Sequence, residues 1–160
     1  MQFIPIRNSI KSISVDDEDA PRVRGYSWYL NDNKKCIIAH INKHNMNIST
    51  FILGIPPNGY DIVDHKDRNI FNNQKLNLRF ATNQQNSANA SIRIGRFEYK
   101  GVYYRKDINK WRAQITPNGI RYELGIFSNK EDAALAYNKA AIRYFGEFAV
   151  LNELESKKDA

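Results

Sequence analysis

Asp64 and His65 stand side by side at the end of the run Tyr60-Asp61-Ile62-Val63-Asp64-His65. Side chains alternate along a strand, so the carboxylate and the imidazole point to opposite sides. One can bind a cation while the other faces a water molecule. A second ligand must come from elsewhere, and Asn86, on a short helical stretch further on, is well placed to return to Asp64. Both would offer oxygen, which suits Mg²⁺ or Mn²⁺ rather than zinc. The chemistry such a set could perform is phosphodiester hydrolysis. That reaction needs a base for water, a cation on the phosphate and leaving oxygen, and a scaffold that holds both. An Asp-His pair alone assigns nothing, because ordinary surface strands also end this way.

The elements around these residues read as strand, loop, strand and helix. Lys66 to Leu76 is an Asn-rich loop, Leu78-Arg79-Phe80-Ala81 a second strand, and Thr82 a cap for a helix running through Asn86 to about Ala90. Upstream, Asp16-Asp17-Glu18-Asp19 reads as a solvated acidic turn or helix start before Pro21. Residues 25–30, 35–41 and 47–53 are short aromatic or β-branched runs bounded by Asn, Asp and Gly, which predicts strands and hairpins. His40 and His44 fall on a strand and the turn after it, so they read as ordinary surface histidines.

Residues 91–97 read as a basic linker. Beyond it, strands are expected over 99–106, 110–116 and 120–127, with Asn118-Gly119 as a hairpin turn. Ser128 to Glu131 has capping-box spacing. The helix that follows carries Ala133, Ala136, Tyr137, Ala140, Ala141 and Tyr144 on one face and stops at Gly146.

Composition sets the outer limits. The chain has 160 residues, 42% of them apolar, and a formal charge of +7. That length accommodates one ordinary domain or two small ones. No stretch approaches the ~20 apolar residues of a membrane span. The single cysteine, Cys36, excludes an internal disulfide and a multi-thiolate zinc site. No secretory leader is legible at the start. An intracellular location is expected: cytoplasmic in a bacterial or phage-infected host, nuclear in a eukaryote. The positive charge favours a polyanionic partner.

Residues 62–86 resemble the His-Asn-His (HNH) endonucleases of phages and mobile introns. The pattern is Val63-Asp64-His65, a turn, Asn77-Leu78-Arg79, then Thr82 and Asn86. The resemblance implies a ββα-metal module. It implies His65 as general base, Asp64 and Asn86 as ligands of one divalent cation, Mg²⁺ foremost, and Asn77 as the residue that ties the loop and orients His65. Arg68 stands where these proteins often have Gly, Asn72 where Asp is frequent, and Ser49-Thr50 where many carry His-Arg.

Residues 98–152 resemble the plant ethylene-response-factor (Apetala-type) DNA-binding domain. The matching segments are Lys100-Gly101-Val102, Lys110 to Ile115, Leu124-Gly125-Ile126-Phe127, Glu131 to Ala141, Gly146 and Leu151-Asn152. The resemblance implies a three-stranded sheet laid in the major groove. Alternation puts Tyr103, Arg105, Lys110, Arg112, Gln114, Thr116, Arg121 and Glu123 on the outer face, and Lys100 joins them as a DNA contact. Arg and Gln can read base edges, and Lys and Arg hold phosphate. Tyr103 and Glu123 depart from the plant residues, so the plant sequence preference does not carry over.

The expectation is an α+β chain in two parts. Residues 1–90 hold a β-rich region and the nuclease module (core 60–90), 91–97 the linker, 98–152 the DNA-binding domain and 153–160 a tail. The implied function is a metal-dependent DNA endonuclease of homing or mobile-element type acting on double-stranded DNA. The alternatives are a non-catalytic DNA-binding regulator built on an inactive nuclease, and a protein that binds or cuts RNA.

Overall fold

The computed structural model describes residues 1–31, 33, 35–90 and 98–154. The linker expected over 91–97 and residues 155–160 of the tail lie outside the described residues. The fold is α+β and divides into two compact units, Met1–Asn83 and Gln84–Ala160. Among the described residues no helix is long and apolar enough to cross a membrane.

In the first unit, β1 (Gln2–Pro5) and β2 (Ser12–Val15) pair antiparallel, with Ile4 opposite Ile13. Helix α1 (Ala20–Arg24) follows Asp19 and carries a proline in its first turn. Proline is tolerated there because that N–H has no helical partner to lose. β3 (Tyr29–Leu30), β4 (Ile37–Ile41) and β5 (His44–Asn47) form an antiparallel meander. The expected strand over 25–30 shrinks to its last two residues, because Trp28 turns into the core and donates from Nε1 to Val23 O at 2.8 Å. His40 and His44 are both exposed, on β4 and β5.

The strand expected over 47–53 is a helix, α2 (Ile48–Leu53). Ile48, Ser49 and Ile52 are all buried, and neighbours such as Ile48 and Ser49 share a helix face but would point to opposite faces of a strand. Tertiary burial overrides the β-branched composition here. β6 (Ile62–His65) and β7 (Leu78–Ala81) then pair antiparallel, and a 3₁₀ turn over Lys75–Asn77 leads into β7. Helix α3 (Asn83–Asn89) follows β7 in the chain, and from Gln84 on its residues belong to the second unit. Trp28, Ile13, Ile37, Val15 and Val23 lie at the centre of this unit's core.

The acidic run is not a solvated face throughout. Asp16 accepts from Lys75 N at 2.8 Å and from Gln74 Nε2 at 3.1 Å. Asp19 is buried and pairs with Arg22 at 2.6 Å and Lys75 at 3.3 Å. A parallel bridge joins Ser14 to Asn72. The N-terminal hairpin thus forms one wall of the Asn-rich loop.

In the second unit, β8 (Val102–Arg105), β9 (Lys110–Ile115) and β10 (Tyr122–Phe127) form an antiparallel sheet in the order β10-β9-β8. Helix α4 (Lys130–Phe145) packs on it through Ala133, Ala134, Tyr137 and Ala141. Small residues let helix and sheet approach closely. The cap of α4 is Asn129 rather than Ser128: its Oδ1 accepts from Asp132 N at 2.8 Å. The register of β10 shifts between Glu123 and Gly125, a bulge. Leu124 and Phe127 are an odd number of residues apart, yet both pack on the core. The bulge makes that possible, because one extra residue reverses the alternation.

Candidate active site

His65 ends β6, and the Asn-rich loop folds back over its ring. Asn73, fully buried, presents Oδ1 to His65 Nε2 at 3.1 Å. The amide is held by its other contacts: Nδ2 donates to Ile70 O at 3.0 Å, and the backbone N–H donates to Ser14 O at 2.8 Å. An amide oxygen only accepts, so Nε2 must carry the proton. The lone pair of the neutral ring then sits on Nδ1. Burial lowers the His65 pKa below its ordinary value of 6.5, although the Asn73 bond and the carboxylates of Asp67 and Asp64 pull it upward. The ring is therefore neutral at pH 7, the form a general base requires.

Asn77 is expected both to tie the loop and to orient His65; the side chain bonded to the His65 ring is that of Asn73, while Asn77 makes its bonds within the loop. Its Nδ2 donates to Asp67 Oδ1 at 2.9 Å and to Asn72 O at 2.8 Å, while its Oδ1 accepts from Asp67 N at 3.1 Å. Asp67 is the hub of this loop. Burial works against its charge, but hydrogen bonds from Asn69 N, Asn72 Nδ2 and Asn77 Nδ2 outweigh that and hold its pKa below the usual carboxylate value. Arg68, the residue in the place of a frequent Gly, has φ of +65°. The backbone here is left-handed, whichever residue occupies it.

Asp64 lies opposite Arg79 in the β6–β7 register, and Arg79 Nε donates to its Oδ2 at 3.0 Å. Asp64 is 5% and Arg79 10% exposed at the side chain. A buried carboxylate needs such a partner to stay charged. Asn86 is exposed on α3, beyond the boundary between the two units. Among the described residues no group of three His, Cys, Asp or Glu side chains could hold a metal. One carboxylate and one amide oxygen fit a hard cation that keeps waters and takes phosphate oxygens, as Mg²⁺ does. They do not fit zinc, which prefers nitrogen and sulfur. The sequence reading gives no role to Asn73 or Arg79 and takes Asp16 for a solvated residue. Nothing distinguishes Asn73 from the other asparagines of its loop until the chain folds.

On the second unit, Tyr103 pairs with Arg112, Arg105 with Lys110, and Gln114 with Glu123, which puts these residues on one sheet face. Thr116 follows β9 and Arg121 precedes β10. Arg112 lies 5.7 Å from the centre of the Tyr103 ring and 3.7 Å from Glu123. Arg105 is paired with Asp107 at 2.8 Å. Among the described residues, Arg112 Nε and Gln114 Oε1 are shielded from solvent and have no hydrogen-bond partner. Such groups are rare in folded proteins unless water or a bound partner completes them. The bulge also brings the half-exposed Ile126 opposite Arg112, an apolar neighbour that simple alternation does not anticipate. Lys100 differs from the rest, since its Nζ donates to Ala88 O and Ala90 O.

Comparison with known proteins agrees with this division. The AP2 domain family matches residues 97–147. An ethylene-responsive transcription factor of Arabidopsis thaliana is 47% identical over 58 residues, 34% of this chain and 30% of the plant protein. A rice protein named for its AP2/ERF and B3 domains is 40% identical over 62 residues, 39% of this chain and 19% of its own length. An uncharacterized HNH endonuclease of Acanthamoeba polyphaga mimivirus is 37% identical over 139 residues, 84% of this chain and 71% of the viral protein. With that identity running through both units, the chain belongs to the HNH endonuclease family and carries an AP2 domain in its C-terminal half.

Proposed function

We propose that the protein is a metal-dependent DNA endonuclease of homing or mobile-element type, positioned on double-stranded DNA by its C-terminal sheet. The observation that carries the reading is the neutral, tautomer-fixed imidazole of His65 under Asn73. His65 Nδ1 takes the proton from the attacking water, and the Asn73 amide keeps the ring aimed as it becomes charged. Asp64 and Asn86 would hold one divalent cation, Mg²⁺ or Mn²⁺, with Arg79 holding the Asp64 carboxylate in place. The cation, when bound, stabilises charge on the phosphate and on the leaving 3′-oxygen. The products then carry 3′-hydroxyl and 5′-phosphate ends. Arg112, Gln114 and their neighbours enter the major groove, where their unmet hydrogen-bonding groups find partners. Roles in intron or gene mobility, or in competition between phage DNAs, suit such an activity.

One observation favours a second reading. Asp64 is already neutralised by a guanidinium, which competes with a cation for the carboxylate. A DNA-binding regulator built on an inactive nuclease would show the same pairing. Supercoiled plasmid incubated with the protein and Mg²⁺ separates the two. Nicking or cutting is expected, and His65→Ala should bind DNA as before but cut about 10²–10⁴-fold more slowly. Equal cleavage by His65→Ala removes the imidazole from the mechanism. Binding without cleavage by the unmutated protein leaves the regulator. Competition among duplex DNA, single strands and RNA decides the nucleic-acid class.

A further inference from the structure

The last carbonyls of α3 have no partner inside the helix, as at any helix C-terminus. Two carbonyls at this end, Ala88 O and Ala90 O, accept from Lys100 Nζ at 2.8 and 3.0 Å. Lys100 is itself firmly rooted. Its backbone N–H donates to Asn152 Oδ1 at 2.6 Å, and its carbonyl accepts from Asn152 Nδ2 at 3.1 Å. Asn152 is buried and closes a second pair of bonds with Asn138 at 2.7 and 2.9 Å. The next residue, Gly101, has φ of +74°, and a Cβ there would lie 2.1 Å from the Tyr137 ring and 2.6 Å from Gln114 O. The base of the lysine side chain is thus fixed from both sides, and its charge meets the negative end of the α3 dipole. At seven residues, α3 is too short to hold its shape in water without such contacts.

We infer that Lys100 is a positioning residue whose ammonium clamps the C-terminal end of α3 and so sets Asn86, instead of gripping DNA phosphate as its place in the AP2-like segment implies. The link to Asn86 rests on the proposed function, whereas the clamp does not. The alternative role for the same ammonium, a phosphate contact, predicts a different salt dependence.

The test uses the full-length chain with Lys100→Met and Lys100→Arg. Amide hydrogen exchange over residues 86–90, without metal or DNA, should quicken roughly three- to tenfold in Lys100→Met. Lys100→Arg should restore it, because a guanidinium can also donate to two carbonyls. The salt slope of DNA affinity should stay unchanged in Lys100→Met. The Mg²⁺ concentration for half-maximal cleavage should rise roughly tenfold, with little change in rate at saturating Mg²⁺. Unchanged exchange overturns the clamp, as does a salt slope shallower by about 0.9, the loss of one phosphate contact. Faster exchange with an unchanged Mg²⁺ requirement overturns the positioning of Asn86. Absence of cleavage by the unmutated protein defeats the nuclease reading alone, and exchange and salt slope then decide the clamp by themselves.

Discussion

The chemistry of the first unit comes down to one imidazole whose two nitrogens are made unequal. Asn73 requires a proton on Nε2, and burial keeps a second proton off the ring. The same burial couples His65 to stability. The pKa is lower in the folded state than the 6.5 of an exposed histidine, so the unfolded chain binds more protons as the solution is acidified. The contribution is fully present above about pH 6.5 and is lost as pH falls from there toward the folded pKa. Metal-free protein should therefore melt at a lower temperature at pH 5 than at pH 7, and His65→Gln should lessen that difference. Identical pH dependence in the two proteins would mean that His65 is not titrating as described. At this scale the sequence was only partly legible. Asp64 and His65 are adjacent in the chain, so their opposed placement follows from alternation. The His65–Asn73 bond depends on how a loop closes, and several asparagines in that loop could make it.

Turns and bulges explain where elements could and could not be read. β7 occupies the expected residues 78–81, and α3 the expected region, because apolar runs and a preceding Thr mark them. The segment 48–53 deceived because β-branched residues are permitted in a helix that buries one face. The bulge in β10 was invisible because it shows only in the register, although Gly125, with φ of +134°, is the residue that allows it. The turn after β6 offers a direct test. Arg68 is exposed with a left-handed backbone, where a non-glycine residue costs about 1–2 kcal/mol. Arg68→Gly should raise the stability of the first unit by about 1 kcal/mol, less than the full strain because glycine loses more freedom on folding. Denaturant titration measures it, and a lower midpoint would contradict the strain.

For the whole molecule, both resemblances were legible because each rests on several fixed spacings over a long stretch. The two compact units divide between Asn83 and Gln84, at the first residue of α3, where no Gly, Pro or change of composition marks the point. The charge of +7 matters through its placement. Arg112 and Arg121 lie on or beside the outer sheet face, and Glu123 offsets part of the charge. Replacing both arginines with alanine should weaken DNA binding and make its salt slope shallower by roughly two units. Binding isotherms over a salt series give the slope, and an unaltered slope would place the grip elsewhere.

The bridge between Ser14 and Asn72 bears on how such modules can be recombined. The nuclease sequence motif occupies a short central stretch, yet Asn73, whose side chain meets His65, is anchored through its backbone N–H to a backbone carbonyl of the second strand. A cassette cut at the edges of that motif would leave its own keystone behind. Any graft onto another DNA reader must carry the opening hairpin along with the Asn-rich loop.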